Sequence, residues 1–197
     1  IQNKKAELLL GPTYAILRPE FVKLKKINNI SPNKKILVTF GGGYDYGGVK
    51  FVLSTLMPIV PNNYKFVVVS GANNPNNQII KEWVKIEGNN KIDLHIDPKN
   101  LVNIFLSCDL AITAGGTTTY ELDSCGLPFI IISTTRNQIE QSKAWSKTGK
   151  AKYVGKLENA SKETLVATFN SLINNKKIFG KNKNLNTYEG LFKVSDI

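Results

Sequence analysis

Three clusters in the sequence combine residue types able to hold an anionic, hydroxylated ligand. The first is Gly41-Gly42-Gly43. Glycines let a phosphate approach the backbone closely, where free N–H groups donate to its oxygens. The same residues also suit a plain tight turn between a strand and a helix. The second cluster is Ala114-Gly115-Gly116-Thr117-Thr118-Thr119-Tyr120-Glu121. Two glycines and three hydroxyls open a helical stretch, and a carboxylate lies one turn inside. An anion there would meet N–H groups, hydroxyl donors and a helix dipole worth about 0.3–1 kcal/mol. Glu121 could accept from vicinal hydroxyls, as an acidic residue does from ribose in dinucleotide folds. Thr118-x-x-Glu121 is equally the spacing of a capping box, which only satisfies a helix start. The residues leave both open. The third cluster is Arg136-Asn137-Gln138, whose amides suit a hydroxyl-rich ligand such as a sugar. A helix N-cap is the other use for Asn137.

These clusters need a scaffold that brings them to one place. From residue 35 onward, short β-branched runs alternate with segments of helical period. The pattern predicts strands at 36–40, 64–70, 92–96, 110–113 and 129–132. Helices are predicted near 48–57, 78–86, 101–108, 118–125, 138–147 and 162–173. The helix from residue 78 carries Ile79, Ile80, Trp83, Val84 and Ile86 as an apolar stripe. Apolar strands alternating with helices make an α/β fold, a Rossmann-like doubly wound parallel sheet covered on both faces. Ligands of such folds bind outside the carboxyl ends of the strands. Each cluster directly follows a predicted strand.

Residues 1–34 break this rhythm. Strands are expected at 6–10 and 14–17 around Gly11-Pro12, followed by a lysine-rich connector at 23–34. The segment reads as the end of a preceding domain plus a linker, with the Rossmann-like domain at 35–197. The chain opens at Ile1, and its only methionine is Met57. Ile1-Gln2-Asn3-Lys4-Lys5 lacks the apolar run of a signal peptide. A fragment of a longer protein is therefore expected.

Several chemistries are excluded. The dinucleotide fingerprint G-x-G-x-x-G fails at Tyr46, and Ser70-Gly71 stands where an acidic residue should follow the second strand. No nicotinamide cofactor is expected, nor any other cofactor or metal. His95 is the only histidine and alternates with aliphatics, which suits a strand and leaves no multi-histidine zinc site. Cys108 and Cys125 lie in apolar contexts, as buried reduced thiols of a cytoplasmic protein do. The net charge is +11, yet Arg18 and Arg136 are the only arginines. Guanidinium is the group suited to bidentate phosphate and base contacts. Lysine pairs scattered among asparagines read as a solvated surface, with no specific nucleic-acid partner. They leave room for attraction to acidic ligands or a membrane surface. No apolar stretch reaches the 18 residues of a membrane span.

Together the clusters describe a ligand with phosphates, a ribose and a hydroxylated group, which is a nucleotide sugar. The order of motifs resembles the C-terminal half of the GT-B superfamily, which includes the MurG-type glycosyltransferases. It is most similar to the PseG-type UDP-sugar hydrolases of the pseudaminic-acid pathway and the related spore-coat polysaccharide proteins. The stretches that carry the resemblance are LLGPTYAILRPEF from Leu9, TFGGG from Thr39, HIDPKNL from His95, GGTTTYE from Gly115, and Arg136-Asn137-Gln138. They span most of residues 8–155.

The resemblance implies that Gly42 and Gly43 approach the diphosphate, and that Gly116, Thr117 and Thr118 bind it. Glu121 would hold the ribose. Ile96, Asp97 and Leu101 would frame the uracil. Asn137 and Gln138 would contact the sugar. The family has serine and aspartate after its first two glycines, where Gly43 and Tyr44 stand here. Its catalytic histidine belongs to the N-terminal domain, so no catalytic residue is expected in this chain. The implied function is UDP-sugar binding in a hydrolase. A MurG-like transferase and a non-catalytic nucleotide-sugar-binding protein are the alternatives. The chain's own N-terminal domain would be its structural partner.

Overall fold

A computed structural model of the protein describes residues 12–22, 24, 34–88, 90–174 and 188. Six strands form one parallel sheet: β1 (Lys34–Thr39), β2 (Tyr64–Ser70), β3 (Ile92–Ile96), β4 (Leu110–Thr113), β5 (Phe129–Ser133) and β6 (Ala151–Lys156). Six helices alternate with them: α1 (Gly48–Leu56), α2 (Asn77–Glu87), α3 (Leu101–Ser107), α4 (Thr118–Ser124), α5 (Ile139–Lys147) and α6 (Lys162–Ile173). The strand order is β3-β2-β1-β4-β5-β6, so the chain's direction of travel reverses between β1 and β4. This is the doubly wound order, and the reversal opens a crevice at the carboxyl ends of those strands.

Successive side chains of a strand point to opposite faces, and the core divides accordingly. Leu37, Val67, Ala111, Phe129 and Ile131 face one layer, with Leu101, Phe105, Leu122 and Trp145 of α3, α4 and α5. Ile36, Val38, Phe66, Val68, Ile112 and Ile130 face the other, with Val52, Leu53, Ile80, Leu165 and Phe169 of α1, α2 and α6. Burial on both faces is why the central strands read as unbroken apolar runs. Cys108 and Cys125 are buried in the first layer. No described helix is long and apolar enough to cross a membrane.

Two features depart from the expected elements. β6 has no predicted counterpart. Its sequence AKYVGK carries two lysines and a glycine, and it occupies an edge, where such residues discourage further pairing. Its register slips between Ile131 and Ile132, skipping Val154, and Gly155 there takes φ +131°. The strand expected at 14–17 is absent. Pro12–Tyr14 and Pro19–Phe21 instead form short 3-10 turns, and Pro19 fixes the start of the second. The strand expected at 6–10 and nearly all of the connector lie outside the described residues.

The described part of the N-terminal segment packs into the sheet domain. Leu17, Phe21 and Val22 are buried in the first core layer, and Phe21 meets Phe105 at 5.4 Å between ring centres. At the far end of the chain, the Tyr188 hydroxyl donates to Asp123 at 2.5 Å, and Lys150 reaches the same carboxylate at 2.9 Å. Burial, then the bond to Asp123, pushes the Tyr188 phenol well above its usual range.

Candidate functional site

A cleft of about 270 Å³ opens at the carboxyl ends of β1, β2 and β4. Its floor is Thr39, Val69 and Ser70, the last residues of β1 and β2. Gly41, Gly42 and Gly71 form one wall, and Thr117, Thr118 and Glu121 form the opposite one. Asp97, Pro98, Leu101 and Phe105 close one end. The N–H groups of Gly42, Gly116 and Thr117 make no hydrogen bond to another described residue. Free donors beside a cleft at a strand end are what an anionic ligand requires.

The walls are fastened from behind. Gly71 is a glycine because a side-chain carbon there would fall 2.1 Å from the carbonyl oxygen of Gly42. The two loops therefore touch backbone to backbone. Ser70 donates to Asn77 at 2.7 Å, Asn74 donates to Ser70 at 3.0 Å, and Asn77 donates to the Gly71 carbonyl at 2.9 Å. The buried Asp45 carboxylate accepts from the Val49 N–H at 3.2 Å and from Asn76 at 2.6 Å. It thereby ties the glycine loop to the neighbouring loop. Beyond it, Tyr44 and Tyr46 stack at 4.3 Å and stay half exposed.

The opposite wall hangs on Thr119, which is fully buried. Its hydroxyl donates to the Gly116 carbonyl at 2.7 Å and accepts from Trp145 at 2.9 Å and Gln141 at 3.0 Å. The three consecutive threonines thus divide: Thr117 and Thr118 line the cleft, and Thr119 anchors it. Gln138 is also an anchor. Its amide oxygen accepts from the N–H of Gly115 at 3.2 Å and of Thr134 at 2.9 Å.

Glu121 is 4% exposed, and its partner comes from far along the chain. Arg18 donates from Nε to Oε1 at 2.7 Å and from Nη2 to Oε2 at 2.8 Å. The hydrogen bond to Glu121 raises the guanidinium pKa above its ordinary value, against the opposing effect of burial. Phe21 supports the guanidinium, whose central carbon lies 5.1 Å from the ring centre. A capping box is not formed, because α4 is capped at Thr117 without a side-chain bond.

Comparison with known proteins places this geometry. No protein-family model matches the chain. It is 24% identical over 158 residues to the spore coat polysaccharide biosynthesis protein SpsG of Bacillus subtilis, covering 79% of this chain and 46% of that protein. It is 30% identical over 134 residues to a Helicobacter pylori protein named pseudaminic acid cytidylyltransferase and UDP-2,4-diacetamido-2,4,6-trideoxy-beta-L-altropyranose hydrolase, covering 58% and 24%. Among solved structures, MurG of Acinetobacter baumannii superimposes with a TM-score of 0.65 at 14% identity, covering 85% of this chain and 50% of that one. The UDP-GlcNAc 2-epimerase of Neisseria meningitidis bound to UDP-GlcNAc superimposes with a TM-score of 0.60 at 17% identity, covering 83% and 44%. The chain has the doubly wound Rossmann-like fold of one half of a GT-B structure. It spans half or less of the length of these relatives.

Within this GT-B half, the cleft brings together Gly42, Asp97, Leu101, Thr117, Thr118 and Glu121 of the residues expected to bind ligand. Gly43, Ile96, Gly116, Asn137 and Gln138 do not line it. Ile96 ends β3, and Asn137 sits in a 3-10 turn where it accepts from Thr135 at 2.5 Å. Asn137 caps no helix either, since α5 begins after Gln138. His95 bonds Asp93 at 3.0 Å on β3 and stays out of the cleft. Sequence reasoning missed Gly71, Thr119, Asn77 and Arg18. Arg18 carried one visible signal, being one of two arginines in a chain that otherwise uses lysine.

Proposed function

We propose that the cleft binds a UDP-sugar and that the chain is the nucleotide-sugar-binding domain of a GT-B enzyme. The observation that carries this reading is the pairing of a glycine wall and a threonine wall, with unbonded N–H groups at Gly42 and Thr117 and a single deep carboxylate, across the doubly wound crevice. Gly42, Thr117 and Thr118 would meet the diphosphate, and Glu121 the ribose. Asp97 and Leu101 would sit against the uracil. Arg18 takes one acceptor site on each oxygen of Glu121, and each carboxylate oxygen has a second. Ribose hydroxyls can therefore share the carboxylate with it.

The parent enzyme on this reading is a PseG-like hydrolase of surface-polysaccharide biosynthesis, in which water attacks the anomeric carbon and UDP leaves. Support comes from the match to a relative whose name includes a UDP-sugar hydrolase. The catalytic base would belong to a preceding domain that faces the cleft. The two buried cysteines suit a cytoplasmic setting. Calorimetric titration of the chain with UDP, ADP and NAD tests the binding claim, with UDP expected to bind tightest. Equal affinities would end it. The full-length gene product, incubated with UDP-sugars, should release UDP in water alone. Release only when a hydroxylated acceptor is added would replace hydrolysis with glycosyl transfer.

A further inference from the structure

We propose that the outer edge of β3 is a docking surface for a second copy of this chain, paired antiparallel about Leu94 so that the sheet continues across the two copies. The inference is independent of the ligand reading above. β3 ends the sheet and bonds β2 on one side. The Lys91 carbonyl accepts from the Phe66 N–H, and the Asp97 N–H donates to the Ser70 carbonyl. Odd-numbered residues therefore turn their backbone groups toward β2, and alternation sends those of Ile92, Leu94 and Ile96 outward. No described residue bonds these outward groups. Such an edge is a template for another strand unless something blunts it. β6, at the opposite edge, carries Lys152, Lys156 and a register slip. β3 is Ile92-Asp93-Leu94-His95-Ile96, without lysine, proline or glycine, and its register with β2 is unbroken.

What fits this edge is the same edge reversed. From Lys91 to Asp97 the sequence reads KIDLHID, which is self-complementary about Leu94. Antiparallel pairing centred there sets Ile92 opposite Ile96 and Leu94 opposite Leu94. These are the residues with outward backbone groups, so each pair exchanges its hydrogen bonds. On the other face Asp93 stands opposite His95, and Lys91 opposite Asp97, each pairing occurring twice across the two-fold axis. A carboxylate opposite an imidazole or an ammonium stabilises a strand pair, whereas two carboxylates opposite each other destabilise it. That rule selects the register. Centring the pair on Asp93 sets Asp93 against Asp93, and centring it on His95 sets Asp93 against Asp97. The Asp93 and His95 side chains are 63% and 32% exposed and lie 3.0 Å apart, open to a second copy. The chain's net charge of +11 opposes self-association in general. This edge is an exception, with one lysine and two aspartates between residues 91 and 97. Asp97 also lines the cleft, so the second copy would lie beside the cleft's closed end.

Analytical ultracentrifugation of the chain over a range of concentrations tests the proposal, with a dimer expected. His95→Asp sets a second carboxylate against Asp93 twice, and should weaken the dimer by about tenfold or more. Exchanging the two residues, Asp93→His with His95→Asp, restores the complementary pairing and should recover most of the affinity. Mere damage to β3 would not be repaired by that exchange. In the wild-type chain, hydrogen exchange at the Leu94 amide should slow as concentration rises, because its N–H enters the new ladder. A chain that stays monomeric at every concentration would overturn the proposal. So would a dimer indifferent to His95→Asp, or one that the double exchange fails to recover. If either variant does not fold, the wild-type Leu94 amide decides, and an exchange rate independent of concentration would refute the edge pairing.

Discussion

Alanine substitutions at three glycines around the cleft should separate architecture from ligand contact. At Gly71 a Cβ would lie 2.1, 2.5 and 2.6 Å from the oxygen, Cα and carbonyl carbon of Gly42. All three are backbone atoms, so the glycine loop itself must move. Overpacking of this kind costs about 1–3 kcal/mol. For a domain of this size each kcal/mol lowers Tm by roughly 2–4 °C, giving a drop of about 2–12 °C. Gly42 and Gly43 have no atom within 4 Å of the added carbon and no positive φ. Alanine at either should be neutral or stabilising by up to about 0.4–1 kcal/mol through the unfolded chain. Binding should follow a different pattern. Gly42 lines the cleft and Gly43 does not. A methyl at Gly42 would occupy the phosphate's approach, and at about 1–3 kcal/mol this is roughly a 5- to 150-fold loss of UDP affinity. Gly43→Ala should leave affinity unchanged, and Gly71→Ala should lose both stability and binding. Differential scanning calorimetry and isothermal titration measure the two axes. Wild-type UDP affinity in Gly42→Ala would refute the phosphate placement. An unchanged Tm in Gly71→Ala would refute the backbone contact.

Other outcomes follow from the same geometry. Glu121→Gln should weaken UDP binding more than it lowers Tm, because one Arg18 bond worth about 1.5–3 kcal/mol is lost where Arg18 is half exposed and screened; unchanged affinity would return Glu121 to a structural role. Duplex DNA should bind non-specifically, at about 10⁻⁴–10⁻⁶ M and with steep salt dependence, and tight binding to one sequence at physiological salt would contradict the solvated-lysine reading. The chain alone should bind nucleotide without turning over UDP-sugars, assayed by UDP release; turnover abolished by His95→Ala would place the catalytic group here. Tyr188→Phe should cost about 0.5–3 kcal/mol. The raised phenol pKa means that wild-type stability is full below the ordinary tyrosine value of 10.0 and falls as pH climbs past it, so the variant should show a flatter loss in alkaline melts.

The doubly wound sheet was legible because its central strands are buried on both faces and so appear as plain apolar runs. β6 was not, since an edge strand with Lys152, Gly155 and Lys156 has neither alternation nor a continuous run. The walls of the cleft were legible in position, because Gly41–Gly43 and Thr117–Thr118 follow strands closely, although a tight turn or a capping box would use the same residues. The fastenings behind them were not. Nothing in the order of residues says that Gly71 touches Gly42, or that the third threonine points inward to Trp145 while the first two point out. Gln138 has a second use that residue order hides. An amide at a strand's carboxyl end suits a sugar by chemistry, yet its oxygen is spent on the N–H groups of Gly115 and Thr134.

Arg18 was the least legible element because its partner is 103 residues away. Its position sets a cation beside a short helix. α4 has only seven residues, and a macrodipole from two turns is a minor contribution to binding a charged ligand. Discrete donors must supply the rest. The loops provide N–H groups, but a buried carboxylate on the same wall works against them. A guanidinium neutralises that carboxylate and still keeps donors to spare, which a lysine ammonium with three N–H groups on a flexible stem does poorly. Delivering it requires residues 15–22 to be held against the sheet domain. Leu17 and Phe21 do this by burying their side chains in the first core layer on either side of Arg18. The stretch from Ala15 to Val22 thus belongs to the cleft's architecture, and its apolar residues fix the one cation among the cleft's described lining.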